Sequence, residues 1–256
     1  MIDAAARRPL LDFMIVGVQK GGTTALAHFL AQHPAIGMSR PKEVHLFDAP
    51  DYSRDWTPAA IDDRYRPFLE GAARASIRGE ATPIYLFLPA IAGELKRYNP
   101  ALKLIVLLRD PVERAISHYY MEKNRDKEHL PLWLALLAEP LRLRLPEDAA
   151  HIDSHLRRHS YRRRGLYTRQ LRNLYRWFDR ERVLVLRAED LRNDHDAVLR
   201  RVFSFLGVAA DIRIPHQIVH AGDHGGRRHP VVRWLLRLSY RAERGRWRRL
   251  ARQPAS

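Results

Sequence analysis

A glycine-rich turn that directly follows an apolar run is the first stretch of this chain whose residue types could do chemistry. The run Phe13–Gly17 leads into Gln19-Lys-Gly-Gly-Thr-Thr24, and helical spacing resumes at Ala25. Glycines allow the backbone to turn tightly and approach a ligand, and the first N–H groups of the next helix point at the same place. The segment therefore predicts a strand, a phosphate-binding loop and a helix. The alternative is a turn whose glycines only relieve strain.

The spacing of this loop differs from that of a Walker A loop. The Walker motif places Gly-Lys-Ser/Thr after a glycine and four further residues. Here Lys20 precedes the glycine pair and Thr23 follows it. The pattern therefore disfavours an ordinary ATP or GTP site.

A second apolar run ends in charge at Arg109 and also leads into a helix. Asp110 suits the N-cap, Pro111 suits the first helical position, and Glu113 can complete a capping arrangement. Ligands of open parallel sheets bind at the carboxyl ends of the strands, so Arg109 and Ser117 are candidate anion-binding residues. The alternatives are an ion-pair role for Arg109 and a magnesium-binding role for Asp110. The proline after Asp110 favours capping over magnesium binding.

Together, Gln19–Thr24 and Arg109–Ser117 resemble the two phosphosulfate-binding motifs of the sulfotransferases that use 3′-phosphoadenosine 5′-phosphosulfate (PAPS). In that family the first loop holds the 5′-phosphosulfate, and the arginine and serine of the second motif hold the 3′-phosphate. The resemblance implies PAPS as the cofactor, a reaction that requires no metal, and a lysine that stabilises charge on the leaving nucleotide. The residues that it places at the nucleotide are Lys20, Gly21, Gly22, Thr23, Thr24, Arg109 and Ser117.

The segment Pro41–Asp48 is similar to the Lys-Glu-x-His-Phe-Phe-Asp segment of the heparan sulfate sulfotransferase branch. There the glutamate is the proposed general base, assisted by the histidine and the aspartate. The resemblance implies these roles for Glu43, His45 and Asp48. A carboxylate or histidine within reach can remove the proton of a hydroxyl group, and a cation such as Lys42 keeps a neighbouring carboxylate ionised. The residues alone are equally compatible with a charged loop.

Two later segments extend the resemblance. Gly79–Tyr85 stands where the branch has Glu-Lys-Ser-Pro-x-Tyr, but Ala81 replaces the lysine, which weakens the expectation of a glycosaminoglycan acceptor. Gly225–Pro230 is similar to the Lys-Gly-Arg-x-His-Pro loop that closes over the nucleotide. Gly226 and Arg227 are therefore candidate cofactor contacts. The chain is thus identified as a member of the PAPS-dependent sulfotransferase family that resembles its heparan sulfate (carbohydrate) branch.

The elements that must position these residues follow from the apolar patterning. Strand-like runs alternate with helical patterns, which predicts an α/β fold with a parallel sheet covered on both faces. The strand-like runs are Phe13–Gly17, Ser76–Glu80, Lys103–Leu108 and Arg182–Leu186. The chain has 256 residues and 46% hydrophobic content, enough for one core. We expect a single-domain, three-layer, P-loop-like fold over residues 1–256, with its core at about 13–230.

The net charge is +16, from 45 basic and 29 acidic residues. No zinc-finger spacing, RNA-recognition signature or helix-turn-helix pattern accompanies it, so an anionic cofactor explains a basic cleft better than nucleic acid does. The sequence contains no cysteine, which excludes disulfides and thiolate metal sites. It contains no signal-peptide pattern and no membrane-spanning run, so we expect a cytoplasmic, bacterial-type enzyme.

The C-terminal segment, residues 231–256, has the pattern of a basic amphipathic helix. Such a helix can lie on an anionic membrane surface, here the inner face, or pack against the domain with its basic face in solvent. Its arginines are Arg233, Arg237, Arg241, Arg244 and Arg248, and its apolar residues are Leu236, Tyr240, Trp247 and Leu250. The run Arg157–Arg164 has five arginines in eight positions. It is either a mobile basic loop or an acceptor-binding rim.

The sequence therefore predicts transfer of a sulfuryl group from PAPS to a hydroxyl group of a carbohydrate or glycoconjugate. Sulfation of a lipid or small-molecule alcohol is the alternative, kept open by Ala81 and the basic tail. Two more distant alternatives belong to other classes. An atypical P-loop kinase would need magnesium and a carboxylate such as Asp110 to hold it. A non-catalytic binder of nucleic acid would lose affinity steeply with salt.

Overall fold

A five-stranded parallel sheet forms the centre of the protein, in the order β2-β3-β1-β4-β5. The computed structural model describes residues 8–144, 151, 153–217 and 229–251. The strands are β1 (Phe13–Gly17), β2 (Ile36–Met38), β3 (Ile77–Ala81), β4 (Lys103–Leu108) and β5 (Val183–Arg187). The predicted strands are confirmed to within a residue at each end. β2 was not predicted, because it is short and contains a glycine.

Helices follow or connect most of these strands. They are α1 (Thr23–Leu30), α2 (Pro58–Tyr65), α3 (Ile91–Tyr98), α4 (Pro111–Asn124), α5 (Leu132–Arg142), α6 (His155–Arg158), α7 (Tyr167–Leu174), α8 (Ala188–Asn193), α9 (His195–Leu206), α10 (Pro230–Ser239) and α11 (Arg241–Ala251). Short 3₁₀ segments occur at Arg66–Ala72, Arg163–Gly165 and Arg180–Arg182.

Each face of the sheet has its own core, because successive side chains of a strand point to opposite faces. In β1, Met14 and Val16 belong to the core that α3 and α7 cover, whereas Phe13 and Ile15 belong to the core under α1 and α9. Both sides are therefore layered with helices. The predicted three-layer α/β architecture is confirmed.

α4 carries a third, smaller core on its outer side, which it shares with α5 and α10. The predicted N-cap of α4 is confirmed, since the Asp110 carboxylate accepts hydrogen bonds from the N–H groups of Val112 (3.0 Å) and Glu113 (3.2 Å). The capping role predicted for Glu113 is taken by another carboxylate. The N–H of Asp110 donates to Glu189 at 3.1 Å, and the Glu113 carboxylate pairs with Arg233.

The predicted C-terminal helix is two helices, α10 and α11, which meet at Tyr240. Most of its expected apolar residues are buried. Tyr240 donates a hydrogen bond to the carbonyl of Arg162 at 2.8 Å, and Trp247 packs edge-on against Tyr167. The apolar side that the sequence pattern revealed is therefore packed on the domain. In the described part of the chain, every helix is too short or too polar to cross a bilayer.

Candidate active site

A cavity of about 490 Å³ opens beyond the carboxyl ends of β1 and β4. β1 lies at the point where the strand order reverses, because β3 is on one side of it and β4 on the other. Open α/β sheets bind their ligands at this position. The cavity is lined by Gln19, Lys20, Gly22, Thr23, Thr24, Ala25, Glu43, His45, Pro83, Ile84, Arg109, Ser117, Met121, Glu122, Arg125, Lys127, Asp153, Arg157 and Arg158.

Most of the predicted site residues meet in this one cavity. Both halves of the expected nucleotide site line it, as do Glu43 and His45. Gly21 lies inside the loop, and Asp48 lies behind His45. The predicted contacts Gly226 and Arg227 lie outside the described residues.

The loop after β1 is fixed to the sheet by its backbone. The N–H of Val18 donates to the carbonyl of Leu107 at 3.0 Å, and the N–H of Gly21 donates to the carbonyl of Val18 at 2.8 Å. A Cβ atom at Gly21 would lie 2.5 Å from the Leu107 oxygen, so only glycine fits there. Gly22 stands at the N-cap of α1 with a φ of 92° and offers no side-chain acceptor. The first N–H groups of α1 are therefore available to an anion.

Positive side chains crowd the same end of the cavity. The Arg109 guanidinium donates to the carbonyl of Lys20 at 3.1 Å. Burial, followed by the charges of Arg109 and Arg125, lowers the pKa of Lys20. Burial also lowers the pKa of Arg109, and the buried, hydroxyl-bearing Ser117 lines the same cavity. An anion bound here would relieve this repulsion, so the donor set fits the phosphate and phosphosulfate groups of PAPS.

A chain of charges runs from the mouth of the cavity into the protein. Lys42 forms an ion pair with Glu43, whose Oε2 lies 3.7 Å from His45 Nε2. His45 Nδ1 lies 3.0 Å from both carboxylate oxygens of Asp48. These contacts place the imidazole between two carboxylates.

This arrangement shifts the pKa values of both titrating groups. Burial alone would raise the pKa of Glu43, but the contact with His45 and the charge of Lys42 outweigh it and lower the value to about 2. Burial alone would lower the pKa of His45, but Asp48 and Glu43 outweigh it and raise the value to about 9. At neutral pH Glu43 is therefore a carboxylate and His45 an imidazolium.

Arg157, one member of the basic run, completes this chain. Its guanidinium donates to Oδ2 of Asp48 at 2.5 Å and to the backbone carbonyl of Asp48 at 2.6 Å. Both side chains are buried. No spacing in the sequence signals the pair, because its members are 109 residues apart.

The rest of the basic run divides between cavity and core. Arg157 and Arg158 line the cavity, as the rim interpretation requires. Arg164 is buried and donates to Gln19 in the nucleotide loop. The run is therefore partly a rim and partly a structural link between the two sides of the cavity.

Glu80 is a buried residue near the site that the sequence reasoning did not single out. Its Oε1 accepts hydrogen bonds from the Thr82 hydroxyl and, at 3.4 Å, from the N–H of Val44. The N–H of Glu43 donates to the carbonyl of Ala81 at 3.1 Å. Burial raises the pKa of Glu80 to about 7. Its position at the end of a strand, next to Ala81, is the signal that could have identified it.

Backbone strain marks the same residues. Among the described residues, the non-glycine residues with positive φ are Lys20 (67°), Glu43 (64°), His45 (58°) and Asp126 (55°). All but Asp126 line the cavity. Such conformations cost about 1 to 3 kcal/mol each and concentrate at functional sites. The hydrogen bonds between the Glu43–His45 loop and the end of β3 therefore hold the loop in a strained backbone conformation.

A model of the sulfotransferase domain family matches residues 10–221, a range that contains the strands, the nucleotide loop and the charge chain. The chain therefore belongs to the sulfotransferase domain family, and the family predicted from the two motifs is confirmed.

Two curated relatives are similar to this chain over most of its length. The chain is 33% identical to mouse heparan sulfate glucosamine 3-O-sulfotransferase 6 over 212 residues, which cover 82% of this chain and 56% of the relative. It is 32% identical to mouse heparan sulfate glucosamine 3-O-sulfotransferase 3B1 over 217 residues, with 83% and 50% covered. The chain thus spans about half the length of the curated relatives it matches.

One solved structure covers nearly the whole chain. The crystal structure of a sulfotransferase from Alicyclobacillus acidocaldarius aligns with a TM-score of 0.78 and 29% identity, covering 96% of this chain and 97% of that one. The predicted sulfotransferase fold is confirmed by this match.

Proposed function

We propose that this protein transfers a sulfuryl group from PAPS to a hydroxyl group of an acceptor, with a carbohydrate or glycoconjugate as the first candidate. The observation that carries the proposal is the convergence of an anion-binding loop and a Glu-His-Asp chain on one cavity. A phosphate site alone would fit many functions. A carboxylate beside the phosphate site supplies the base that removes the proton of an acceptor hydroxyl.

The nucleotide-side residues divide into two groups. Lys20, the Thr23 and Thr24 hydroxyl groups and the first N–H groups of α1 would hold the 5′-phosphosulfate, and Arg109 with Ser117 would hold the 3′-phosphate. When bound, PAPS supplies the sulfuryl group. Lys20 provides positive charge at the place where the nucleotide would gain negative charge. Contacts from Gly226 and Arg227 stay predictions.

Glu43 is the proposed base. A carboxyl group with a pKa of about 2 is ionised but weakly basic, because Lys42 and His45 stabilise its charge. An acceptor hydroxyl that replaces Lys42 as the hydrogen-bond donor would remove one of these cations. The pKa of Glu43 would then rise towards the value that proton transfer requires. His45 and Asp48 keep the carboxylate in place.

The acceptor side of the cavity favours a substrate with negative charge. Lys127 and Arg158 line it, and Arg158 forms an ion pair with Asp153. The matched relatives are named for heparan sulfate glucosamine, which supports a carbohydrate. Ala81 is buried in the sheet and contributes no positive charge. Sulfation of a lipid or small-molecule alcohol is therefore the second candidate, and a cytoplasmic location stays a prediction.

The first experiment is calorimetric titration with adenosine 3′,5′-bisphosphate (PAP), the desulfated product of PAPS, alongside ATP with magnesium. We expect binding of PAP without metal, and weaker binding by Lys20→Ala and Arg109→Ala. Preference for ATP with magnesium would favour the kinase. Binding of neither, with salt-sensitive binding of nucleic acid, would favour the non-catalytic alternative.

The assignment of Glu43 as the base is tested separately, by comparing the same substitution at two glutamates that line the cavity. Glu43→Gln should retain PAP binding and lose turnover by about 100-fold or more, an effect typical of removing general base catalysis. Glu122→Gln removes the other glutamate of the cavity wall and should retain most turnover. Full activity of Glu43→Gln would refute the assignment of the base without affecting that of the cofactor.

A further inference from the structure

Exposed apolar side chains are concentrated on two helices outside the cavity. In the described residues they lie on α5 and α10, apart from Trp177 and Leu166, and each is between 47% and 68% exposed. They are Trp133, Leu137 and Leu141 on α5, and Val231, Trp234, Leu235 and Leu238 on α10. We call these seven residues the α5–α10 face. Soluble proteins rarely expose contiguous apolar surface of this kind without a partner for it.

The spacing within each helix produces continuous stripes. Trp133, Leu137 and Leu141 recur at every fourth position of α5, which aligns them on one side of the helix. The exposed residues of α10 also share one side. Its other side, with Leu236, is buried in the core shared with α4. α10 is therefore apolar both inward and outward, which a helix facing only water does not require.

The two helices belong to the same region of the molecule. Both contribute to the core that covers α4. Their C-terminal ends border one cleft of about 430 Å³, whose lining includes Pro140 of α5, Leu143 just after α5, Leu166, and Tyr240 just after α10. Leu166 thus extends the exposed apolar surface between the two helices.

Among the described residues, exposed arginines border this face. Arg144, Arg163, Arg237 and Arg241 are exposed next to it. The carboxylate of α5, Glu139, is buried and accepts hydrogen bonds from the N–H groups of Arg162 and Arg163. The sequence of α10 contains no acidic residue. This charge fits a negatively charged partner, whereas a second copy of the chain would bring the same positive charge.

We propose that the α5–α10 face docks on an anionic lipid bilayer. Its tryptophans and leucines would enter the boundary between headgroups and acyl chains, and the surrounding arginines would meet the phosphate groups. These residues are different from the apolar residues of the predicted amphipathic helix, most of which are buried in the domain. The proposal therefore retains the predicted membrane contact of the C-terminal segment, but it assigns the contact to the exposed apolar side of α10 together with α5.

Docking would leave the cavity open. α4 lies between the two surfaces: Ser117, Met121 and Glu122 line the cavity, whereas Ile116 and Tyr119 belong to the core beneath the α5–α10 face. The proposal is therefore independent of the acceptor, and nucleotide binding supplies a control for correct folding.

The test is co-sedimentation of the purified chain with vesicles of phosphatidylcholine, with or without phosphatidylglycerol. We expect binding to the anionic vesicles. The double variant Leu137→Gln/Trp234→Gln should reduce the partition coefficient by about tenfold or more, since less apolar surface is transferred from water. Trp177→Gln is the matched control, because Trp177 is an exposed tryptophan that packs near Gly93 of α3. All variants should bind PAP as the unchanged protein does.

Several results would overturn the proposal. They are absence of binding by the unchanged protein, equal binding by the double variant, and an equal loss in Trp177→Gln. Light scattering during size-exclusion chromatography distinguishes the other occupant. A dimer that the double variant converts to a monomer, with unchanged vesicle binding, would assign the face to a second copy of the chain.

Discussion

The two sides of the cavity are built in different ways. The nucleotide side grows from the ends of two adjacent strands, and its loop is fixed by backbone hydrogen bonds such as that from Val18 to Leu107. The acceptor side is assembled from the loop after β2, the segment after α4 and α6, joined by charged side chains such as Asp48 and Arg157. The fold therefore determines the first side directly. The second depends on a few buried charges, and can change without altering the sheet.

The largest effect should come from breaking the buried pair on the acceptor side. Asp48→Asn would leave the Arg157 guanidinium buried without its charge partner, which typically costs about 3 to 5 kcal/mol in the free energy of unfolding. Urea denaturation measures this loss. At low temperature, where the variant stays folded, its affinity for PAP should stay within about twofold of the original, because the broken pair is on the acceptor side. A tenfold change in affinity would correspond to about 1.4 kcal/mol.

The double variant Asp48→Asn/Arg157→Met is the matched control for this cycle. It removes both charges, so it should be more stable than the sum of the two single changes predicts. Additive losses would mean that the pair does not couple the two segments. A loss of PAP affinity as large as the loss of stability would mean that the two sides of the cavity are not separate.

The next effect concerns Glu80, which supports the acceptor loop from below. Its pKa in the folded protein is about 7, above the ordinary 4.5. Between these values the folded state holds more protons than the unfolded state, so the stability of the protein falls as the pH rises. Glu80→Gln removes this titration. Relative to the unchanged protein, the variant should gain about 3 kcal/mol between pH 4.5 and pH 8.

Chemical denaturation across this pH range measures the difference. Glu94→Gln is a control, since Glu94 is a carboxylate on α3 that pairs with Arg97 outside the cavity. A difference between Glu80→Gln and the unchanged protein that does not vary with pH would contradict the raised pKa of Glu80.

The same contrast explains what could be predicted from the sequence. Gln19–Thr24 and Arg109–Ser117 are contiguous, and each follows an apolar run, so local patterning gave both their type and their place at the sheet edge. Resemblance to the family, and not hydrophobic patterning, identified Glu43, His45 and Asp48, because a short charged loop has no distinctive periodicity. Arg157 could not be assigned to Asp48, since only the fold brings them together. The exposed apolar side of α10 was not predicted, because the sequence analysis followed the periodicity of its buried apolar residues.

Arg109 tests the nucleotide side alone. Arg109→Ala removes a guanidinium proposed to bind the 3′-phosphate, and charge-assisted hydrogen bonds contribute about 1.5 to 3 kcal/mol. Calorimetry should therefore find the dissociation constant for PAP raised by roughly 10- to 100-fold. Arg158→Ala, on the acceptor side, should leave it unchanged. Equal effects of the two changes would place the nucleotide across both sides of the cavity.

The smallest effect should come from Lys127, a positive side chain on the acceptor side of the cavity. Lys127→Ala should raise KM for a negatively charged acceptor by roughly threefold, because a partly solvated charge contributes at most about 1 kcal/mol. Lys123→Ala is its matched control, since Lys123 lies in the last turn of α4, shortly before Lys127 in the chain, and its ammonium donates to the carbonyl of His129, outside the cavity. For an uncharged alcohol the two variants should behave alike. A selective loss with the charged acceptor would show that this side reads the acceptor's charge, while an equal loss with the uncharged alcohol would mean that Lys127 acts through the shape of the cavity.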